Sequence, residues 1–412
     1  MPAVPIVLSI VAALAIIGIL LVFVVLPVVL KQRCIALAAS RGITLTVDHV
    51  AIGPEEVRLM KVAFSLDGAP QLSGTADDIR VTLSGLTPAE SNADGLALTL
   101  DGPLEDIEKS LAAWSAAHAT HAGATANATD AHPVSWSLGH VTWTRAFGQT
   151  AKVELTNVAG EVDPVKAVTR MTSDHATLTT GSTAFGPWGL SLERDSATTR
   201  VDVELDPVVK GGPSVVFLRD ANDAVSVRAN VPSSPLSHLG IPAKTVGLAA
   251  DSTVEGTVDF EKDKSGASSL KSDVALGKAT FGGGLPIDAR VILSASGDAA
   301  KGLDVKQGAF TAGPLKGSVT GTLTLFDDGA RLALAWKSQG VPCSEIGKQM
   351  AAEALGPLGS QLGAIAGDVG NVIGLRVAGE ASASGLITLD SRDLAATSFA
   401  MTRNQTCGVD LF

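Results

Sequence analysis

The chain has 412 residues, of which 46% are hydrophobic and only 18% are charged. This composition excludes a disordered chain, because disorder goes with low hydrophobicity and high charge. Acidic residues outnumber basic ones by 42 to 31 and aromatic residues make up 4%, so no nucleic-acid partner is expected. Three cysteines exclude a scaffold held together by several disulfides.

The N-terminal segment is apolar and begins without a basic residue. Ile6–Leu26 lies between Pro5 and Pro27 and carries no charge. A helix of this length spans roughly 31 Å, close to the roughly 30 Å hydrocarbon core of a bilayer. We therefore predict a single-pass, retained anchor over residues 1–33, with a cleaved secretion signal as the alternative.

Basic residues near the anchor bear on its orientation. Lys31, Arg33 and Arg41 all follow the apolar segment, and none precedes it. The positive-inside tendency would keep the following domain in the cytoplasm, although large domains translocate largely regardless of charge. The charge pattern therefore argues weakly against a translocated domain.

From residue 42 onward, short stretches alternate apolar and polar residues. Val201, Val203 and Leu205 alternate with acidic residues, which is typical of a strand with one apolar and one solvated face. The segments 317–326 and 330–337 flank an Asp–Gly turn and predict a hairpin. Its apolar side chains should share one face; they are Leu323, Leu325, Leu332, Leu334 and Trp336. We predict a mainly β fold, a long, curved antiparallel sheet of some twenty strands with a few short helices.

A pattern of Val, any residue and Gly recurs without a fixed period. Its glycines are Gly160, Gly256, Gly321 and Gly379. Glycine within a strand often marks a bulge or a bend, which favours a curved sheet. The alternative is that the pattern is merely common in Gly-rich β proteins.

Two helical segments interrupt the strands. Leu104–Ser115 has apolar residues at helical spacing and acidic residues in its first turn, and a second helical stretch runs from Ser344 to about Ile373. The predicted organisation is an anchor (1–33), a β-rich segment ending in a helix (42–117), a low-complexity loop (118–134), a β-sheet body (135–343), a helical segment (344–374) and C-terminal strands (375–412).

Catalytic and cofactor motifs are missing from the sequence. There is no Gly-x-Ser-x-Gly elbow, no His-Glu-x-x-His and no phosphate-binding Gly-Lys-Ser/Thr loop. His118, His121 and His132 have no carboxylate or cysteine partner at a recognisable ligand spacing. We therefore expect no enzyme, no cofactor and no metal site.

The order of the parts resembles the AsmA/TamB/YdbH group of bacterial envelope proteins. The resemblance rests on the N-terminal helix leading into Gly42–Val47, on the strands Trp136–Trp143 and Val153–Val162, and on Pro235–Ile241 followed by Val254–Phe260. It implies an inner-membrane anchor, a periplasmic domain and a rolled sheet whose apolar concave face carries phospholipid acyl chains. It transfers no catalytic residues.

Two functions follow from these observations. The first is an envelope protein with an apolar β-groove for phospholipid transport or outer-membrane biogenesis; the second is a membrane-tethered structural or interaction module with a closed β core. The candidate groove residues are Val201, Val203, Leu205, Leu323, Leu325, Leu332, Leu334 and Trp336. In an oxidising compartment Cys343 and Cys407 could form a disulfide while Cys34 stays free; three free thiols are the alternative. The expected partners are the bilayer and acyl chains, and no protein partner is predicted.

Overall fold

The structure is a computed structural model that describes residues 26–85, 87–122, 132–146, 151–164, 166–242, 248–249, 251–279, 287–298, 301–326, 329–345, 375–390 and 398–411. The chain is mainly β, and 21 of its strands belong to a long mixed sheet, which confirms the predicted class. Apart from Leu26, the predicted anchor Ile6–Leu26 lies outside the described residues. Within the described ranges, none of the helices combines the length and the apolar character needed to cross a membrane.

The chain divides into two compact units. The N-terminal unit contains the described residues up to Ala146 together with Lys152–His175 and Leu192–Ser196, and the C-terminal unit contains Ala151, Ala176–Ser191 and the described residues from Ala197 onward. The elements of the first unit are α1 (Leu26–Ser40), β1 (Ile43–Ile52), β2 (Glu56–Leu66), β3 (Ala69–Ser84), β4 (Thr87–Asp94), β5 (Ala97–Asp101), α2 (Leu104–Ala122), β6 (Val134–Thr144) and β7 (Ala151–Asp163). The strands β8 (Val168–Thr180) and β9 (Thr183–Arg194) contribute residues to both units.

The N-terminal unit is not a pure antiparallel meander, and the antiparallel prediction is wrong here. Strands β4 and β5 lie between β3, to which both are antiparallel, and β6, to which both are parallel. Ala97 of β5 pairs with His140 of β6, for example. The physical reason is the crossover through α2, which returns the chain so that β6 starts at the same end as β4 and β5.

Helix α2 is longer than predicted. It continues to Ala122, past the predicted end at Ser115 and into the segment 118–134 that was predicted to be a loop. The Ala-rich sequence favours helix, and two contacts dock it on the turn before β1. The Trp114 indole N–H donates to the Gly42 carbonyl at 2.9 Å. The His118 ring occupies the space that a Cβ atom on Gly42 would fill.

The core of the N-terminal unit lies under its first three strands. Val47, Val50, Val62 and Ala76 are buried together, and Leu30 of α1 packs against them. Val47 faces Val62, which in turn faces Ala76 across the next strand pair, so these three residues share one side of the sheet.

The C-terminal unit continues with sequential antiparallel pairs. Its elements are β10 (Thr198–Glu204), β11 (Ser214–Asp220), β12 (Val225–Pro235), β13 (Thr253–Lys262), β14 (Ala267–Ala279), β15 (Ile287–Asp298), β16 (Gly302–Ala312), β17 (Leu315–Phe326), β18 (Gly329–Ser338), β19 (Val341–Pro342), β20 (Leu375–Ala378), β21 (Glu380–Asp390), β22 (Ser398–Gln405) and β23 (Gly408–Leu411). The predicted hairpin is confirmed as β17–β18, with Phe326 opposite Gly329. Strand β21 pairs with β18 and β22, and β20 pairs with β23 in a separate two-stranded sheet. Most of the predicted helical segment 344–374 lies outside the described residues.

Glycines of the recurrent Val-x-Gly pattern mark bulges on the neighbouring strand. Gly160, Gly256 and Gly321 each face the residue at which the register shifts: Trp136, Val231 and Val305, respectively. A Cβ on Gly256 or Gly321 would collide with a carbonyl oxygen of the adjacent strand. The predicted link between these glycines and bulges is therefore seen at these three positions, and bulges of this kind bend a strand and increase its local twist.

Candidate functional site

One row of apolar residues crosses the sheet of the C-terminal unit from β10 to β21. Each member faces the next one across a strand pair. The apolar row consists of Val201, Phe217, Val227, Phe260, Leu270, Ala295, Val305, Gly321, Leu334 and Ile387. Because directly opposed residues point to the same side of a sheet, these ten residues form one continuous non-polar row on that side, here called the apolar face.

The other side of the same strands is polar. Its corresponding row consists of Asp202, Val216, Arg228, Asp259, Lys271, Ser294 and Gln307. The Arg228 guanidinium lies 2.8 Å from the Asp259 carboxylate. The sheet therefore separates a charged, solvated side from the apolar face.

Burial along the apolar row is uneven. Ala295, Val305 and Leu334 are buried, with Leu334 7% exposed, and they belong to a cluster around Leu303, whose exposure is 0%. In contrast, Val201, Phe217 and the other row members on β10–β14 are only half-buried. The apolar face thus has a packed region on β15–β18 and a half-open region on β10–β14, of which Phe260 and Leu270 also pack against the buried cluster.

The predicted groove residues fall into these two regions. Leu323, Leu325, Leu332, Leu334 and Trp336 share one face of the β17–β18 hairpin and join the packed cluster. Val201 and Val203 lie on the half-open region, where Val203 faces Val215. Leu205 follows β10, and its backbone N–H donates to the Pro213 carbonyl at 2.9 Å.

Aromatic rings in the packed region lie over glycines of the adjacent strand. The Phe310 ring occupies the space above its cross-strand partner Gly317, and the Trp336 indole does the same above Gly385. The two rings meet edge to face with centroids 5.6 Å apart. Sequence reasoning missed these contacts, because only the register shows which glycine faces which ring.

Cys343 and Cys407 are joined by a disulfide, with their Cα atoms 5.7 Å apart. Cys343 is buried, and its backbone N–H donates to the Gly379 carbonyl at 3.0 Å. The bridge therefore ties the end of β19 to the segment between β22 and β23. Cys34 on α1 is free, and partial burial raises the pKa of its thiol.

Carboxylates on the polar side are held ionised by arginines. Hydrogen bonds from Arg290 lower the pKa of Asp273, with Nη2 and Oδ2 2.5 Å apart. In the N-terminal unit, the Arg58 hydrogen bond likewise lowers the pKa of Asp78. These pairs join adjacent strands, and we assign them a structural role.

Two of the three histidines considered as metal ligands, His118 and His132, make other contacts in the structure. His118 Nδ1 lies 2.8 Å from the Trp114 carbonyl, and His132 Nε2 lies 2.9 Å from the Ser91 hydroxyl. The side chain of His121 is outside the described residues. Among the residues that are described, no three His, Cys, Asp or Glu side chains converge as metal ligands would.

Comparisons of the chain with protein families, with curated proteins and with solved structures found no match. The chemistry of the apolar face itself is therefore the starting point for a functional proposal.

Proposed function

We propose that this chain is a membrane-anchored envelope protein whose apolar face binds phospholipid acyl chains, in phospholipid transport or outer-membrane biogenesis. The observation that carries the proposal is the apolar row, which is non-polar at every step from Val201 to Ile387. Its half-open region on β10–β14 is the part where an acyl chain would lie. The resemblance to the AsmA-like group supports the same function.

The energetics of such binding are favourable. Each CH₂ group that moves from water to an apolar surface contributes about 0.8 kcal/mol. Row members on β10–β14 keep part of their non-polar surface in solvent. An acyl chain laid across them would remove non-polar surface from water on both partners.

Adjacent residues on β11 allow a direct test. Phe217 belongs to the apolar row, whereas Leu218 points to the polar side and is 38% exposed. Either position would be replaced by p-benzoyl-phenylalanine in the full-length protein, and cells would be irradiated. We expect lipid adducts, detected by mass spectrometry, at 217 and not at 218. Equal adducts at both positions, or none at 217, would contradict the proposal.

A matched pair of charge substitutions tests the same face without a probe. Val215 faces Val203 on the apolar face, and Val216 faces Asp202 and Arg228 on the polar side. Val215→Asp should remove most of the co-purified phospholipid relative to the parent, while Val216→Asp should keep it. Thermal unfolding of both variants shows whether a loss of lipid is due to misfolding.

The second candidate is a membrane-tethered structural module with a closed β core. The packed cluster around Leu303 and Leu334 favours it, because these side chains are buried by the protein itself. This candidate predicts no lipid adducts at 217 and an equal lipid content in the Val215→Asp and Val216→Asp variants.

For location, we propose the bacterial inner membrane with the large domain in the periplasm. The Cys343–Cys407 disulfide supports an oxidising compartment, and the basic residues after the anchor oppose it. The full-length protein should resist extraction by carbonate, and its thiols at 343 and 407 should react with a maleimide only after reduction. Three reactive thiols in protein taken directly from cells would contradict a periplasmic location.

A further inference from the structure

The connection between β10 and β11 presents two valines to solvent. We call the loop Pro207–Pro213 the valine tip. Val208 is 91% exposed, the highest value among the described large hydrophobic side chains, and Val209 is 50% exposed. Single exposed apolar side chains are ordinary on protein surfaces, but these two valines are adjacent and stand together at the apex of one loop.

Backbone hydrogen bonds within the loop hold the two valines in their exposed positions. The Val209 N–H donates to the Asp206 carbonyl at 3.1 Å, and the Gly212 N–H donates to the Val209 carbonyl at 2.9 Å. At the base of the loop, the Leu205 N–H donates to the Pro213 carbonyl at 2.9 Å. These bonds fix the backbone with the Val208 side chain pointing outward.

The base of the loop is anchored on the rest of the unit. The Asp206 side chain is only 13% exposed, and its carboxylate lies 3.2 Å from His238 Nδ1. His238 precedes Leu239, which is buried, and the Leu239 carbonyl accepts a hydrogen bond from the Trp188 indole N–H at 2.8 Å. The valine tip therefore stands on a packed base.

The two ends of these strands differ in chemistry. Lys210 is the only charged residue of the valine tip. Antiparallel pairing places the β11–β12 and β13–β14 turns at the opposite end. Those turns are closed by Asp220 and Asp263, whose carboxylates accept backbone N–H groups of Ala224 and Ala267, respectively. One end thus presents exposed valines with a single cation, whereas the other end is closed by polar turns in which Asp220 and Asp263 lie beside Lys264.

We propose that the valine tip inserts into the interfacial region of a bilayer that contains anionic lipid. Aliphatic side chains at the apex can enter the acyl boundary, and Lys210 beside them pairs with anionic headgroups. A protein-binding hot spot would instead be enriched in Trp, Tyr or Arg, which the tip lacks. This membrane contact goes beyond acyl-chain binding by the apolar face and does not depend on it.

A fluorescent label tests the contact in the full chain. In a Cys34→Ser background, Val208→Cys or, as the matched control in the acidic β11–β12 turn, Asn222→Cys would carry an NBD label. The protein would be reconstituted into vesicles of phosphatidylethanolamine and phosphatidylglycerol at 3:1. Doxyl-labelled phosphatidylcholine would be placed either in those vesicles or in added protein-free vesicles.

We expect quenching of the label at 208 by at least one of the two doxyl pools, several-fold stronger than at 222. Leaving out phosphatidylglycerol should weaken it by about fivefold, the contribution of one basic residue. Quenching at 208 no stronger than at 222 would overturn the proposal. A blue shift of the label at 208 without quenching would indicate a protein contact and would also overturn it.

A second pair of variants separates this proposal from lipid binding by the apolar face. With the label placed at Val209→Cys, which leaves Lys210 in place, adding Val208→Asp should abolish quenching, whereas adding Asn222→Asp in the opposite turn should not. Thermal unfolding should change little, because Val208 is 91% exposed and Val209 is 50% exposed. Lipid adducts at 217 should persist in the Val208→Asp variant. Missing adducts at 217 in protein with an unchanged valine tip, together with quenching of the label at 208, would count against the apolar face alone.

Discussion

Strands β10–β14 and β15–β18 share one pattern and one face but differ in how far that face is covered. In β10 and β11 the alternating residues are mostly valines on short strands, and they are half-buried. In β15–β18 the corresponding positions carry Leu293, Leu303 and Leu334 on longer strands, and these side chains are buried. Side-chain size alone does not explain this difference, because Ala295 and Val305 are buried whereas Phe217 and Phe260 are half-buried. Alternation thus determines which side is apolar, whereas the neighbours that pack over that side, here the cluster around Leu303 with Phe310 and Trp336, determine how deeply it is buried.

The largest effect should follow a charge placed in the packed region. Leu334 is 7% exposed and faces Gly321 and Ile387, so Leu334→Asp would bury a carboxylate without a partner. We expect a loss of about 4 kcal/mol or more in the free energy of unfolding. Val203→Asp in the half-open region should cost about 1–2 kcal/mol, because its carboxylate keeps contact with water. Equal losses in urea unfolding would show that the two regions are not differently covered.

The same residue type can be compared directly in both regions. Phe310 meets Trp336 edge to face in the packed region, and Phe217 lies in the half-open region. Phe310→Ala should cost about 3–5 kcal/mol, since it leaves a cavity in the cluster. Phe217→Ala should cost about 1–2 kcal/mol, since solvent or lipid fills the space. If the order of the two losses in thermal unfolding were reversed, the proposed difference in packing would be wrong.

The disulfide should stabilise one region selectively. Cys343 and Cys407 are 64 residues apart in sequence. Replacing both by Ser should cost about 2–4 kcal/mol, because the unfolded chain loses a constraint. Amide hydrogen exchange should accelerate in β18–β23 and stay unchanged in β10–β12. Faster exchange throughout the C-terminal unit would show that the two regions unfold together.

Local features of the sequence were sufficient to predict much of this fold. The Asp–Gly turn and the alternation around it predict the β17–β18 hairpin, because both strands and their connection lie within one short stretch. Alternation also places Leu323 and Leu332 on one side, since directly opposed residues share a face. The Val-x-Gly pattern indicates bends for a local reason, the missing Cβ next to a neighbouring carbonyl oxygen.

The remaining features depend on partners that are distant in sequence. The parallel pairing of β6 with β4 and β5 depends on where α2 returns the chain. The end of α2 at Ala122 depends on the contacts that Trp114 and His118 make with Gly42. Gly42 precedes Trp114 by more than seventy positions in the sequence. The apolar row and its uneven burial require the register of every strand pair, which no single segment encodes. The exposure of Val208 could not be predicted, because this residue lies in a loop and belongs to no alternating or helical pattern.

The smallest effect should come from the ion pair that joins the two regions on the polar side. Asp273 of β14 accepts two hydrogen bonds from Arg290 of β15, at 2.7 and 2.5 Å, and these bonds lower the pKa of Asp273. A lowered pKa means that the folded state favours the carboxylate. The stabilisation is therefore complete above the unfolded pKa of about 3.9 and is lost as the pH falls through the folded value. Both side chains are well exposed, so solvent weakens the pair.

We expect Asp273→Asn to lower the thermal midpoint slightly at pH 6 and to match the parent at the lowest pH where both still fold. Asp304→Asn, at an exposed aspartate on β16, is the control, and an effect of Asp273→Asn that persists unchanged to low pH would show that the carboxylate charge is not its cause.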